Sequence, residues 1–168
     1  DYTRGWPQYE HRWNYEHLAG QLPVYDKPRW TGQDLQGKTI LAFGEQGHGD
    51  IIMFSRYIYN LKQLGADVYF YVTDGLVPLF AGSPIIKQVS GYIQPNFDFD
   101  YWVPLMSVPG ILGITLDNLP RQLGYLNANQ GLVNQWREHL GVKTKLRIGF
   151  SWSGRPDTWI HRHKSVPF

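Results

Sequence analysis

The sequence contains no cysteine among its 168 residues, and this absence excludes several kinds of site. Without thiols there is no disulfide framework, no thiolate metal ligand and no cysteine nucleophile. The absence also fits a reducing compartment, so we expect a cytoplasmic protein. Sixteen Lys and Arg residues against fourteen Asp and Glu residues give a net charge of +2, which does not indicate a nucleic-acid or membrane-surface partner.

Long apolar runs are lacking as well. No stretch approaches the roughly 20 apolar residues of a membrane-spanning helix, and no signal peptide is visible. Aromatic residues, by contrast, make up 15% of the chain. Such residues build clefts for sugars and planar ligands as well as ordinary protein cores.

Alternating strand and helix patterns begin at Lys38 and predict the fold class. Apolar runs predict strands at 38–43, 66–72, 85–90, 99–103 and 146–152, and helical spacing predicts helices at 50–64, 76–81 and 128–141. Segment 104–120 reads as a loop with one helical turn. Because crossovers through covering helices connect parallel strands, this order predicts an α/β protein with a doubly wound, mainly parallel Rossmann-like sheet.

The regions outside the sheet differ in composition and suggest a division of the chain. Aromatic residues at helical spacing predict an amphipathic helix from about Pro7 to Leu18. We therefore expect a repeat-like helix at 1–20, a linker or surface strap at 21–37, a sheet domain at 38–145 and the start of a further domain at 146–168. Both ends look cut from a longer protein.

The turn "GEQGHG" after the first strand is the best-placed candidate site, because ligands of parallel sheets bind at the carboxyl ends of the strands. Its small residues Gly47 and Gly49 let the backbone approach a ligand, and the next helix offers free N–H groups. The G-x-x-G-x-G spacing is neither the dinucleotide fingerprint nor a P-loop. Gln46 completes the turn.

Acidic and imidazole side chains in and after this turn are candidate general bases. Asp50 stands at the start of the predicted helix, where a carboxylate caps the helix or, beside a substrate hydroxyl, accepts its proton. Glu45 and His48 are further candidates, with loop solvation as the ordinary alternative. Both interpretations of Asp50 stay open at this point.

The tail "SWSGRPDTWIHRHKSVPF" carries a second group of candidates. Arg155, Arg162 and Lys164 suit a diphosphate or another anion, although an exposed basic segment has the same composition. His161 and His163 lack a third ligand nearby, so we expect no metal site. The stretch "GFSWSG" is not the G-x-S-x-G elbow of a serine hydrolase.

Several motifs together suggest a family. "GWPQYEHRW", "WTGQDLQGKTILAFGEQGHGDIIMFSRYI", "VPLMSVPGILGITLDNLP" and "RIGFSWSGRPDTWIHRHKSVPF" occur in that order over nearly the whole chain. This arrangement resembles the C-terminal region of bacterial tetratricopeptide-repeat proteins that end in a glycosyltransferase-like domain. That domain is similar to the ADP-heptose:lipopolysaccharide heptosyltransferase family.

The resemblance implies a fold and a role for particular residues. It implies the N-terminal, acceptor-side half of a GT-B fold, with Asp50 in the Gly-Asp turn as the base that deprotonates an acceptor hydroxyl. It implies that Lys164 and its basic neighbours begin the donor-phosphate site. A nucleotide sugar would be the donor substrate, with no cofactor, and a glycan or another hydroxyl compound the acceptor. Missing N-terminal repeats would bind protein partners.

Three functions follow as hypotheses. The leading one is the acceptor half of an inverting sugar transferase, which we expect to be inactive as this fragment. The second is a non-enzymatic module that binds protein or glycan and caps a repeat array. The third is a nucleotide-binding protein that uses the "GEQGHG" turn.

Overall fold

The computed structural model describes residues 1–16, 18, 20, 22–93, 97–121 and 124–150. Within these ranges the α-helices are α1 (Tyr2–Tyr9), α2 (His48–Phe54), α3 (Ile58–Gln63), α4 (Val77–Phe80), α5 (Val108–Ile111) and α6 (Gln130–Leu140). Short 3₁₀ helices occupy Glu10–Asn14, Ser55–Tyr57, Asp74–Leu76 and Leu105–Ser107.

Four strands form one parallel sheet. They are β1 (Thr39–Phe43), β2 (Asp67–Tyr71), β3 (Gln88–Ser90) and β4 (Tyr101–Pro104), in the spatial order β3-β2-β1-β4. In the register, Leu41 lies between Tyr69 on one side and Trp102 on the other. The predicted α/β class and parallel Rossmann-like sheet are confirmed.

The strand order places a topological switch point between β1 and β4. From β1 the chain adds β2 and then β3 on one side, and it returns to add β4 on the other side. Loops that follow such strands usually diverge and leave a crevice at the carboxyl ends, so this edge of the sheet is where a ligand site is expected.

The two faces of the sheet are covered differently. Inward side chains such as Ile40, Val68 and Val103 pack with the helices in the main core, where Ile58 and Leu61 are fully buried. The opposite face carries Leu41, Phe43 and Trp102, and loop aromatics including Tyr25 and Phe99 pack on it. Alternation along each strand produces these two apolar layers.

The segment predicted as a linker or strap is anchored on the sheet domain. The Trp30 N–H donates to Trp102 O at 2.8 Å, and Arg29 pairs with Trp102 as an isolated parallel bridge. Trp30 and Leu35 belong to the main core, each with 1% of its surface exposed. The strap thus contributes side chains to the core and brings Arg29 toward the end of β4.

Two predicted helices differ from the structure in their bounds. The opening helix begins at Tyr2, because Asp1 Oδ1 accepts the Arg4 N–H at 3.3 Å, and it tightens to a 3₁₀ helix after Tyr9. The helix predicted at 50–64 is interrupted at Ser55–Tyr57. Ser55 Oγ donates to Ile52 O at 2.8 Å, a short-range bond typical of such a tightened turn.

The strand predicted at 146–152 is not present in its described part, residues 146–150. Arg147 explains this difference, because its Nη2 donates to the carbonyl oxygens of Leu140, Gly141 and Val142 at 2.7, 3.1 and 2.9 Å. These bonds fold the segment back onto the end of α6, and no neighbouring strand pairs with residues 146–150 in the described part of the chain.

The chain divides into two compact units, Asp1–Asn129 and Gln130–Phe168. The first unit contains the sheet and α1 to α5. In the second unit the described residues form α6 and the segment after it, and Gly141 ends the helix with a φ of 65°. The predicted boundaries at 20, 37 and 145 stay predictions. Among the described residues, no helix combines the length and the apolarity that a bilayer crossing requires.

Candidate functional site

The crevice at the switch point is occupied by a side chain from the N-terminal segment. Glu45 follows β1, and Ser107 ends the 3₁₀ turn that follows β4; both residues are buried. Arg12, in the 3₁₀ helix after α1, reaches between them and is itself buried. The N-terminal segment therefore closes the position where parallel sheets usually bind ligands.

Arg12 binds Glu45 in the bidentate geometry that suits a guanidinium and a carboxylate. Its Nε donates to Glu45 Oε2 and its Nη2 to Glu45 Oε1, both at 2.8 Å. Nη2 also donates to Ser107 Oγ at 2.8 Å. The Met106 N–H donates to Glu45 Oε1 at 3.1 Å, so the loop after β4 holds the carboxylate as well.

Aromatic rings enclose the Arg12 guanidinium on the side of the N-terminal segment. Its central carbon lies 4.6 Å from the centroid of the Tyr9 ring and 4.5 Å from that of Trp13. Burial alone would lower the pKa of Arg12, but the hydrogen bonds and charge of Glu45 outweigh burial and raise this pKa. Arg12 is a permanent cation inside the fold.

A second carboxylate and a second guanidinium extend this cluster. Glu10 Oε1 accepts from Arg12 Nη1 at 2.9 Å, and Glu10 Oε2 accepts from Arg29 Nη2. Burial would raise the pKa of Glu10, but hydrogen bonds from Arg12, Ser107 and Arg29 lower it overall. Two guanidinium groups face two carboxylates, so the described cluster has no excess charge.

The turn from Gln46 to Asp50 lies exposed beside this cluster. Gly47 is the N-cap of α2, and Asp50 Oδ2 accepts the Gly47 N–H at 3.2 Å in a capping box. The capping interpretation of Asp50 is thus present in the structure, and its catalytic interpretation stays a prediction. Gly49 is exposed and meets no neighbour that would exclude a side chain.

Contacts with neighbouring elements hold the turn in place. Gln46 has a positive φ of 63°, which is uncommon for a residue with a side chain, and its Nε2 donates to Tyr9 OH at 2.8 Å. His48 Nε2 lies 2.9 Å from Thr73 Oγ1, at the carboxyl end of β2. The turn therefore connects α1 to the ends of β1 and β2.

The structure separates the candidate bases into different environments. Glu45 is buried in the Arg12 pair, whereas Gln46, Gly47, His48 and Gly49 are exposed and Asp50 is partly exposed. Arg12, Glu10 and Ser107 belong to the site, although no sequence pattern predicted them. One pattern could have indicated Arg12, because it stands among aromatic residues in "YEHRW". A segment of this kind tends to be buried, and a buried arginine needs a paired carboxylate.

The donor-side candidates Arg155, Arg162 and Lys164 lie outside the described residues, as do His161 and His163. Among the described residues, no group of three or more His, Asp or Glu side chains is arranged to hold a metal ion. The described residues include the carboxyl ends of the four strands and the cluster of Arg12, Glu10, Glu45, Arg29 and Ser107 beside them.

Comparison with known proteins adds one relative. The chain is similar to Protein FlbA of Caulobacter vibrioides. The two sequences are 30% identical over 172 residues, which cover 88% of this chain and 28% of FlbA. The chain therefore spans less than a third of the length of FlbA. No family model matches the sequence, and no solved structure matches it.

These findings correct the family prediction. The relative that matches is FlbA, whose name is not that of a glycosyltransferase, and the predicted membership of the heptosyltransferase-like, tetratricopeptide-repeat family is wrong. The longest motif that suggested the family contains all of β1 and α2, and strand–turn–helix units of this kind occur in folds with unrelated functions. Similarity to FlbA does not by itself assign an activity.

Proposed function

We propose that the turn Gln46–Asp50 binds a hydroxyl-bearing acceptor such as a sugar, and that Asp50 is the general base of sugar transfer in the longer protein. One observation carries the proposal: Asp50 Oδ2 is fixed by the Gly47 N–H, whereas Oδ1 accepts no hydrogen bond from the described residues. The carboxylate is partly exposed at the carboxyl end of β1. An oriented carboxylate with a free oxygen is suited to accept a proton.

The surroundings of Asp50 favour a neutral ligand. Gln46, His48 and Thr73 offer amide, imidazole and hydroxyl groups at the same edge of the sheet. The nearby guanidinium groups of Arg12 and Arg29 are already paired with carboxylates. The surroundings of Asp50 therefore suit a hydroxyl compound better than a diphosphate, because a diphosphate would need unpaired cations.

The proposed chemistry divides between two parts of the longer protein. Asp50 would take the proton of the acceptor hydroxyl as its oxygen attacks the anomeric carbon of the donor sugar. The bond from that carbon to the nucleotide diphosphate breaks, and the diphosphate leaves on the opposite side with inversion. Arg155, Arg162 and Lys164 stay predicted donor-phosphate residues, because cations there would stabilise the leaving group.

The first experiment follows backbone amide signals by NMR during titration with methyl glycosides and with nucleoside diphosphates. We expect glycosides to shift the Gly47 and Gly49 signals in the wild type and to shift them less in Asp50→Asn. Asp74→Asn is the matched control, because Asp74 is an exposed aspartate near the end of β2. Shifts of Gly47 by nucleotides alone would contradict the acceptor assignment.

The second experiment tests catalysis in the longer protein. Asp50→Asn should lower sugar transfer by about 10²–10⁴-fold, the usual contribution of a general base. Asp74→Asn should leave the rate unchanged. Full transfer by the Asp50→Asn variant would exclude Asp50 as the base.

A second function is favoured by a different observation. Arg12 fills the switch point, which is the usual ligand crevice, and this arrangement suits a non-enzymatic module whose N-terminal helix joins it to a helical array. Such a module would bind a glycan or a protein through its surface. Glycoside binding without sugar transfer in the longer protein would support the binding module over the transferase function.

A further inference from the structure

A groove lies next to the switch point, between α1, the strap and α5. It has a volume of about 410 Å³, within the range of small-molecule pockets. The side chains that matter here are those of Trp6, Glu10, Arg29, Thr31, Ser107 and Ile111. All of these residues belong to the first compact unit. The groove is separate from the turn that carries Asp50.

Trp6 forms a wall of the groove and is held from two directions. Its Nε1 donates to Ile114 O at 2.6 Å. A Cβ atom built on Gly110 would lie 3.1 Å from the Trp6 Cβ, so α5 packs closely against this side chain. The indole is thus positioned before any ligand binds, which lowers the entropic cost of binding.

The polar side of the groove consists of a paired acid and base. Arg29 Nη2 donates to Glu10 Oε2 and, at 3.0 Å, to Ser107 Oγ. Arg29 Nη1 makes no hydrogen bond with the described residues, and the Arg29 side chain is 28% exposed. Glu10 is 38% exposed in its side chain, so donor and acceptor atoms both remain accessible.

The charges in and behind the groove determine which ligand it suits. Arg12 and Arg29 are balanced by Glu10 and Glu45, so an anion would meet no net positive charge. A purely apolar ligand would bury the Arg29–Glu10 pair and remove its hydrogen bonds to water without making new ones, which costs free energy. A ligand with an apolar face and several hydroxyl groups satisfies both the indole and the ion pair.

From this arrangement we propose that the groove is a subsite for a neutral sugar ring. The C–H face of the ring packs against Trp6, and neighbouring hydroxyl groups accept from Arg29 Nη1 and donate to Glu10. The Thr31 hydroxyl, at the exposed rim, adds a polar group. This site does not depend on a base at Asp50 and is independent of the transferase proposal.

The test uses the Trp6 indole N–H as an NMR reporter during titration with a panel of methyl glycosides. We expect at least one glycoside to shift this signal saturably in the wild type. Thr31→Trp, which fills the exposed rim, should weaken the binding by at least about tenfold. Arg29→Gln should weaken it as well, whereas Thr31→Ser and the exposed control Thr3→Trp should bind like the wild type.

The outcomes distinguish this site from the Asp50 turn. Asp50→Asn should leave the Trp6 shift unchanged, even if it abolishes shifts at Gly47. The proposal is overturned if no glycoside moves the Trp6 signal, or if Thr31→Trp and Arg29→Gln, shown to be folded by thermal unfolding, bind with wild-type affinity. Loss of the Trp6 shift in Asp50→Asn would also overturn it, because the two sites would then be one.

Discussion

Arg12 and Glu45, 33 residues apart in the sequence, form a bidentate ion pair in which each side chain is only 5% exposed. The pair joins the N-terminal segment to the carboxyl end of β1, and Ser107 extends it to the loop after β4. Three parts of the chain thus meet at two charged side chains.

Removing one partner of this pair should strongly destabilise the protein. In Arg12→Met, Glu45 would remain as a buried charge without its counterion, which costs about 3–5 kcal/mol. Urea unfolding measures this loss. Arg4→Met, at an exposed arginine of α1, should change the stability by less than about 0.5 kcal/mol. The double variant Arg12→Met with Glu45→Met should recover part of the lost stability. A loss of stability below about 1 kcal/mol in Arg12→Met would contradict the prediction, because it is the value of a solvent-exposed ion pair.

Gln46 combines an unfavourable backbone conformation with a useful side-chain bond. Gln46→Ala removes the bond to Tyr9 but keeps the positive φ of 63°, whereas Gln46→Gly removes both the bond and the backbone strain. We expect the glycine variant to be more stable than the alanine variant by about 1 kcal/mol in urea unfolding. Equal stability would mean that the turn changes conformation once the Tyr9 bond is lost.

Gly65 should tolerate substitution less well than Gly82, although both have a φ above +80°. A Cβ atom at Gly65 would lie 3.0 Å from Gln36 Cα and closer still to the Gln36 side chain, whereas one at Gly82 meets nothing within 4 Å. Both alanine variants incur about 1–2 kcal/mol of backbone strain. Thermal unfolding should show Gly65→Ala as the less stable variant, and the reverse order would indicate that the strap moves freely.

Tyr25 should make stability depend on alkaline pH. Its hydroxyl has a pKa raised from 10.0 to about 12, first by burial and then by the proximity of Tyr71. Between these values the unfolded chain loses this proton and the folded chain retains it, so the stabilising contribution is complete below pH 10 and disappears as pH rises to about 12.

Tyr25→Phe isolates this effect, because it keeps the ring that packs on Phe99 and Trp102 at centroid distances of 5.3 and 5.4 Å. Urea unfolding from neutral to alkaline pH should show the wild type losing more stability than the variant. Parallel curves would mean that the hydroxyl titrates normally in the folded protein.

The sequence predicted the sheet better than the site. The run Thr39–Phe43 and the alternation around Val68 are local signals, and hydrophobic burial makes such runs into strands in most contexts. The break at Ser55 depends on one side-chain bond, and the missing strand at 146–150 depends on Arg147. Single side-chain bonds of this kind leave no periodic pattern in the sequence.

The site was predicted only in its local part. The turn and Asp50 follow from glycine spacing and helix capping, but the Arg12–Glu45 pair depends on the tertiary position of the N-terminal segment. Nothing in the spacing of charges predicts which of several arginines reaches a buried carboxylate. The strap residue Arg29 escaped prediction for the same reason.

The strand order also has a consequence for folding kinetics. β4 pairs with β1 across a long stretch of chain that contains β2 and β3, as Thr39 and Asp100, bonded at 2.8 Å, are separated by 61 residues. Pairing strands that are so far apart in the sequence is slow, so β1 and β2 should form the folding nucleus before β4 docks. Ser107→Ala should then accelerate unfolding and leave the refolding rate nearly unchanged in stopped-flow experiments. The ion pair at the switch point would then slow unfolding and lengthen the lifetime of the native state.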